Sequence, residues 1–245
     1  MNILIIGYGI VGHNLYKEIA QLNPDIYDKY KTDFNTKRNI KYDIAFICVD
    51  TPLSNDYTLD IQAVIEALSE NDSNIYVIKS TCPIGTVNSL KSITNKRIIF
   101  SPEYYGGTQH CNNFNFDYTI LGGNKEDCIE VIQALQHCYD GRHQFRITDS
   151  KTAELVKFME NSFLATKVSF CNQFYDIANK HNISYEELRE LFILDPRVNA
   201  SHTFVYKDKP YWDTHCLNKD VPYIAYTEDA QLLKDVCEFN EERKH

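Results

Sequence analysis

No apolar run in this chain is long enough to span a bilayer, so a helical membrane anchor is not expected. Nothing resembles a secretory leader either, because the opening run Ile3-Leu4-Ile5-Ile6 is short and passes straight into a glycine loop. Positive charge is scarce: 25 Lys and Arg stand against 34 Asp and Glu, a formal net charge of −9. That balance argues against nucleic acid or an anionic membrane surface as a partner, although a local basic pocket stays compatible with it. Eight cysteines are present (Cys48, Cys82, Cys111, Cys128, Cys138, Cys171, Cys216 and Cys237), with no C-x-x-C pair and no metal-type clustering. Reduced thiols, most of them packing, are therefore expected in a cytoplasmic protein without a metal site. Internal repeats and low-complexity stretches are also missing.

What is present begins with Gly7-Tyr8-Gly9-Ile10-Val11-Gly12, set behind the apolar run and ahead of a helical pattern over 13–22. In that context Gly7 permits a tight turn, Gly9 lets backbone N–H groups approach a pyrophosphate, and Gly12 lets the helix pack closely on the strand. Ile10 and Val11, between the glycines, are cofactor candidates with them, ahead of a helix whose N-terminus faces the phosphates. An acidic residue is expected about 20 residues further on to bind the ribose hydroxyls, and Asp28 occupies that place. A carboxylate there repels a 2′-phosphate, so NAD is expected rather than NADP.

Up to about residue 148, short β-rich runs alternate with amphipathic stretches, the pattern of a doubly wound parallel sheet in an α/β fold. The expected strands are 2–6, 25–27, 44–48, 75–78, 97–100, 119–121 and 144–147; helices are expected near 13–22, 61–70, 84–93 and 125–138. Ligands in such folds bind beyond the carboxyl ends of the strands. Three loops there stand out: Val49-Asp50-Thr51-Pro52, with Val49 and Thr51 as cofactor candidates; Ser80 to Thr86, with Thr81; and Ser101 to Gly107, with Glu103 and Tyr104. Asp149-Ser150 reads as a helix cap, and 151–180, free of Gly and Pro, as one long helix. A shorter helix is expected at 184–193, an irregular segment over 195–220, and a last helix near 229–242. The expected domains are 1–149 and 150–245, the second small and all-helical.

Glu154, Lys157 and Asn161 share one face of the long helix. Lys157 and Asn161, one turn apart, bring a cation and an amide to one volume, which suits an oxygen on which charge develops. Leu155, Val156, Phe158, Phe163 and Leu164 suggest that this helix is buried on most sides; a solvated polar stripe is the alternative. Cys216 lies in the polar segment Asp213-Thr214-His215-Cys216-Leu217-Asn218-Lys219-Asp220, where a neighbouring lysine favours the thiolate as a nucleophile. His215 is a competing base. Glu103 suits a general base or a water-positioning group, and Thr81 suits a hydrogen bond to a water or to the cofactor.

In this order the motifs resemble the UDP-glucose/GDP-mannose dehydrogenase family over nearly the whole chain. The resemblance rests on the glycine loop, Phe46 to Pro52, Ser80 to Thr86, Ser101 to Tyr104, Ala153 to Lys157 with Asn161 and Phe163 to Lys167, Asp195-Pro196-Arg197-Val198, and Cys216 with Lys219-Asp220. It implies a Rossmann-like NAD-binding domain followed by a helical dimerisation domain. It also implies oxidation of a sugar C6 alcohol, as in UDP-glucose, to the carboxylate in two NAD-linked steps, a chemistry of polysaccharide biosynthesis. By the same resemblance Cys216 is the nucleophile and Lys157 and Asn161 stabilise oxyanions. Thr81 and Glu103 position a water or act as base, Asp220 assists hydrolysis, and Glu103, Tyr104, Lys157, Asn161 and Arg197 contact substrate. Arg197 reaches the neighbouring subunit's site, so a homodimer is implied.

Three features depart from the family pattern. A third, nucleotide-binding domain follows in family members beyond the stretch matching Phe239 to Glu242. Tyr211-Trp212-Asp213-Thr214-His215 stands where a glycine-rich stretch precedes the cysteine, and Gly107 stands where a second glutamate is expected. Two other readings stay open at this level. One is a single-step hydroxyacid or polyol dehydrogenase with Cys216 a spectator; the other is an NAD-binding module without turnover.

Overall fold

Strands β1 (Ile3–Ile6), β3 (Tyr42–Ile47) and β4 (Ser73–Ile78) are buried on both faces, which is why they read as continuous apolar runs rather than as alternating ones. Side chains two apart share a face. Leu4, Ile6, Ala45, Ile47, Tyr76 and Ile78 enter one core, and Ile3, Ile5, Ile44, Phe46, Ile75 and Val77 enter the other. The computed structural model describes residues 1–35, 39–105 and 116–244, so Cys111 and Gly107 lie outside the described residues.

The chain divides into two compact units, 1–54 with 59–157, and 55–58 with 158–245. The division falls inside the long helix α5 (Ser150–Lys180), eight residues beyond the boundary expected from sequence at the helix start.

In the first unit, β2 (Asp25–Tyr27), β5 (Ile98–Phe100), β6 (Tyr118–Gly122) and β7 (Gln144–Thr148) complete a sheet of order β2-β1-β3-β4-β5-β6-β7. Helices α1 (Ile10–Glu18), α2 (Gln62–Glu70), α3 (Thr86–Thr94) and α4 (Lys125–Leu135) connect strands in the doubly wound manner. All seven expected strands are present. One feature corrects the reading of a wholly parallel sheet: β6 meets β5 antiparallel, through the single registered pair Phe100 and Gly122, and β7 follows β6 in parallel. The last βαβ unit is thus turned over against the first five strands, a reversal invisible to strand-by-strand patterning.

Local chemistry fixes where helices begin. α1 starts directly after Gly9, and α3 starts only after Gly85, whose φ of +91° ends the preceding turn. The expected cap of α5 is Asp149, whose carboxylate accepts the Thr152 N–H (3.0 Å). That carboxyl is held below its ordinary range by the Thr152 bonds.

The second unit packs the C-terminal part of α5 with α6 (Tyr185–Phe192), α7 (Leu217–Thr227) and α8 (Gln231–Glu242). Its core holds Ala165, Trp212, Leu217, Val221, Ala225, Val236 and Cys237. α7 corrects the expectation of an irregular segment running to residue 220. Pro222 inside it reads as a breaker in sequence, yet the helix continues, with Val221, Tyr223, Ile224 and Ala225 buried.

Burial of α5 also differs from expectation. Phe158 is buried, but Leu155 and Phe163 are 45% and 63% exposed. The buried stripe is Glu154, Phe158, Asn161, Ala165, Ser169 and Asn172, at helical spacing. Met159, Phe163, Phe170, Phe174 and Ile177 form an apolar stripe open to solvent instead. Among the described residues no helix is long and apolar enough to cross a membrane.

Candidate active site

The glycine loop joins β1 to α1 under tight steric control. Gly7 has φ +87°, and a Cβ there falls 2.6 Å from the Cys48 carbonyl oxygen. A Cβ on Gly12 falls 2.0 Å from the Gly7 carbonyl oxygen, so neither position accepts a side chain without moving backbone. Gly9 has nothing within 4 Å of where a Cβ would be, which leaves room in front of the α1 N-terminus. Ile10 and Val11 supply the first helical N–H groups there, and α1 has no side-chain cap. An open, uncapped helix start behind a glycine that clears its approach fits a pyrophosphate. These residues therefore fit a dinucleotide.

Asp28 stands just beyond β2, half-buried. One carboxylate oxygen accepts the Tyr8 N–H (2.8 Å) and the other the Tyr30 N–H (2.9 Å). The carboxylate is thereby fixed against the glycine loop, and each oxygen keeps a second lone pair for a ribose hydroxyl.

The strand-end loops converge in the first unit. The buried Thr51 hydroxyl donates to the Thr81 carbonyl (2.7 Å), and the Ser80 hydroxyl donates to the Val49 carbonyl (2.7 Å), tying the loops after β3 and β4 together. Cys48, at the end of β3, is buried, and burial pushes its thiol up to about 12.

Glu103 and Lys157, both buried, face each other at 3.5 Å between Oε1 and Nζ. Glu103 Oε2 accepts the Tyr105 N–H (2.8 Å), and the Lys157 ammonium lies 5.2 Å from the Tyr104 ring centre. A carboxylate and an ammonium are thus held side by side with little water, the one able to take a proton and the other to face an oxyanion.

One residue that sequence reasoning missed supports this cluster. Lys79, at the end of β4, is buried, and its ammonium bonds the Ser101 hydroxyl (3.3 Å) and carbonyl (3.4 Å) at the start of the Glu103 loop. Burial lowers its pKa. The only sequence signal was a lysine closing an apolar strand. Glu154, grouped by spacing with Lys157 and Asn161, serves elsewhere. Its carboxylate accepts the N–H groups of Gly85 (2.5 Å) and Val87 (2.9 Å) and so caps α3.

The second unit holds the other cluster. Cys216 is the N-cap residue of α7, where the positive end of the helix dipole favours negative charge. Its carbonyl accepts the Asp220 N–H (2.9 Å), which places Asp220 one turn along the helix. The Asp220 carboxylate is fully buried and accepts from Asn161 Nδ2 (2.6 Å) and Lys219 Nζ (2.6 Å). Asn161, Lys219, Asp220 and Cys216 are therefore brought together, and the buried carboxylate is balanced by its neighbouring ammonium. His215 is exposed. Arg197 is also exposed and is bound to Asp195 (Nε to Oδ1, 3.0 Å). Among the described residues no His, Cys, Asp and Glu group is arranged to hold a metal ion.

Known proteins carry the same arrangement of domains. Residues 27–140 match the NAD binding domain of the UDP-glucose/GDP-mannose dehydrogenase family, and residues 151–242 match the central domain of that family. The chain is 31% identical over 171 residues to an uncharacterized protein of Methanocaldococcus jannaschii, covering 64% of this chain and 19% of that one. It is 26% identical to the UDP-glucose 6-dehydrogenase of Rickettsia bellii over 299 aligned positions, covering 99% of this chain and 67% of that protein. The UDP-D-ManNAc dehydrogenase of Pyrococcus horikoshii has the same fold, with a TM-score of 0.80 at 23% identity over 99% of this chain and 69% of that one. Against several further curated relatives the chain spans about half their length. With two domain models of one family matched in order, and with a glycine loop shaped for its NAD, the chain belongs to the UDP-glucose/GDP-mannose dehydrogenase family.

Proposed function

We propose that this chain oxidises the C6 alcohol of a nucleotide sugar to the carboxylate, with NAD as the hydride acceptor and Cys216 as the nucleophile. The observation that carries this reading is Cys216 at the start of α7, one turn from a buried Asp220 that is bonded to both Asn161 and Lys219. NAD would be held by Gly7, Gly9, Gly12 and Asp28 and would supply the hydride acceptor, one NAD for each of the two oxidations. Loss of the first hydride and of the hydroxyl proton converts the alcohol to the aldehyde. The Cys216 sulfur then adds to the aldehyde carbon, and the oxygen takes a proton to give a thiohemiacetal. Loss of the second hydride and of the thiohemiacetal hydroxyl proton gives a thioester, and water adds to it, expelling the thiol and leaving the carboxylate. Lys157 and Asn161 stabilise oxygen as negative charge develops, Glu103 and Thr81 orient the water or take its proton, and Asp220 assists hydrolysis.

Relatives named for UDP-glucose and for UDP-N-acetyl-D-mannosamine both support a UDP-sugar as the substrate class, UDP-glucose being the first to test. The test is stoichiometry. Purified protein with NAD and a panel of nucleotide sugars is expected to form two NADH per sugar consumed, and Cys216→Ala is expected to abolish the second. One NADH per sugar with an indifferent Cys216→Ala variant would replace this reading by a single-step dehydrogenase, and NAD binding without turnover would replace it by a binding module.

The chain works as a homodimer in this reading, its helical domain meeting a second copy through the apolar stripe Met159, Phe163, Phe170, Phe174 and Ile177. In the same reading the exposed Arg197 reaches the second copy's substrate. Sedimentation velocity is expected to show a dimer, and Phe170→Asp a monomer with unchanged far-UV circular dichroism. A monomeric wild type at micromolar concentration contradicts it.

A further inference from the structure

We infer that Asn240 and Trp212 are positioning residues for Cys216, a clamp through which α8 sets the place of the thiol; the inference rests on the reading of Cys216 as nucleophile. The five residues before Cys216 contain no glycine, so this segment is not held by close backbone approach and needs side chains to hold it. Trp212 supplies the anchor. Its ring is buried among Ala165, Leu217, Val221 and Val236, and its indole N–H donates to the Ser169 hydroxyl (3.2 Å). Asn240 supplies the lock. Its amide is 1% exposed, accepts the Trp212 N–H (2.8 Å) and donates to the Trp212 carbonyl (3.0 Å). One side chain thus satisfies both backbone groups of one residue and fixes that residue's orientation as well as its depth.

From this clamp each step toward the cysteine is bonded. Asp213 pairs with Lys209 (2.7 Å) and accepts from Asn218 Nδ2 (2.7 Å), which reaches past the cysteine into the first turn of α7. The Thr214 hydroxyl accepts the Leu217 N–H (3.3 Å), and the Thr214 carbonyl accepts the Asn218 N–H (3.0 Å). Cys216 lies inside this bonded span, half-exposed. An apolar residue at 240 would pack α8 on α7 equally well, since Val236 and Cys237 already do so. A buried amide with both ends committed to Trp212 specifies the loop instead.

The test compares Asn240→Ala, Asn240→Asp and Trp212→Phe in the full chain. Asparagine and aspartate have nearly equal volume, but in Asn240→Asp an oxygen faces the Trp212 carbonyl and the clamp loses its donor; a carboxylate buried here lowers stability under either role, so the place where exchange rises, not stability, decides. Hydrogen exchange at the Leu217 and Asn218 amides is expected to rise at least tenfold in both Asn240 variants, with exchange in β1 and β3 unchanged. With UDP-glucose and NAD, kcat is expected to fall about tenfold while the NAD Kd stays at the wild-type value. Trp212→Phe, which keeps an aromatic ring and loses the Ser169 bond, is expected to fall between. Wild-type exchange at 217 and 218 in Asn240→Asp, or a rise spread evenly over all helices of the second unit, overturns the clamp. Should a variant be too unstable to isolate, Ser169→Ala reads the same exchange from the milder side. A wild type without turnover counts against the Cys216 reading alone, because exchange still decides the clamp.

Discussion

Cys48 and Cys216 show how one residue type is made inert or useful by where the chain puts it. Cys48 closes β3 beneath the glycine loop, where burial pushes its thiol up to about 12 against an opposing pull from Lys79. Cys216 stands half-exposed at a helix start. Iodoacetamide at pH 8 is therefore expected to label Cys216 in the folded protein and to leave Cys48, Cys128, Cys171 and Cys237 unlabelled; peptide mass mapping reads this, and labelled Cys48 contradicts it. The raised thiol also sets a pH dependence. Folded Cys48 keeps a proton that the unfolded chain releases near its ordinary 9.0, so its contribution is whole below pH 9 and is lost as pH rises toward 12. Relative to Cys48→Ala, which cannot titrate, wild-type stability from urea unfolding is expected to be level below pH 9. Above it, stability falls by about 1.4 kcal/mol per pH unit. A wild type that gains on the variant above pH 9 has the wrong sign.

Among the elements, α5 shows what patterning reads and what it misses. The absence of Gly and Pro over 151–180 announced its length, and Asp149 announced its start. Which face is buried was not legible, because spacing groups residues on a helix without saying what covers them: Glu154 and Asn161 went inward and Phe163 outward. Lys157 and Asn161 stand out in sequence as a cation and an amide one turn apart, whereas Glu154 shares their face and caps α3. α7 was missed because its first turn belongs to the polar run Asp213 to Asp220, which shows no helical apolar period. The glycine loop and Asp28 were legible because a dinucleotide site fixes their residue types and spacing, and Lys79 and Asn240 were not because no motif marks a lone lysine or asparagine whose partners fold alone brings near. The Glu154 cap gives a prediction at this scale. Glu154→Ala leaves two N–H groups at the α3 start unpaired, at a cost of about 2–4 kcal/mol in urea unfolding. Glu154→Gln keeps an acceptor and is expected to recover part of it. A loss under about 0.5 kcal/mol, the size of a neutral surface change, would show that Glu154 does not cap α3.

At the scale of the molecule, each unit holds its own polar cluster: the first a dinucleotide cradle and the Glu103–Lys157 pair, the second Cys216 with Asn161, Lys219 and Asp220. Family membership rests on both, since the NAD binding and central domains are matched in order along the chain. The apolar stripe of α5 faces solvent, and one departure from the family pattern lies in the segment before Cys216. The central claim is that a sugar carbon becomes bonded to that thiol. Incubation with NAD and UDP-glucose, rapid acid quenching, and intact and peptide mass measurement test it most directly. The expected result is a mass gain on the peptide bearing Cys216, matching the sugar nucleotide bound as a thioester and absent from Cys216→Ala. Steady two-NADH turnover with no adduct at Cys216 at any time, and equal turnover by Cys216→Ala, would contradict it.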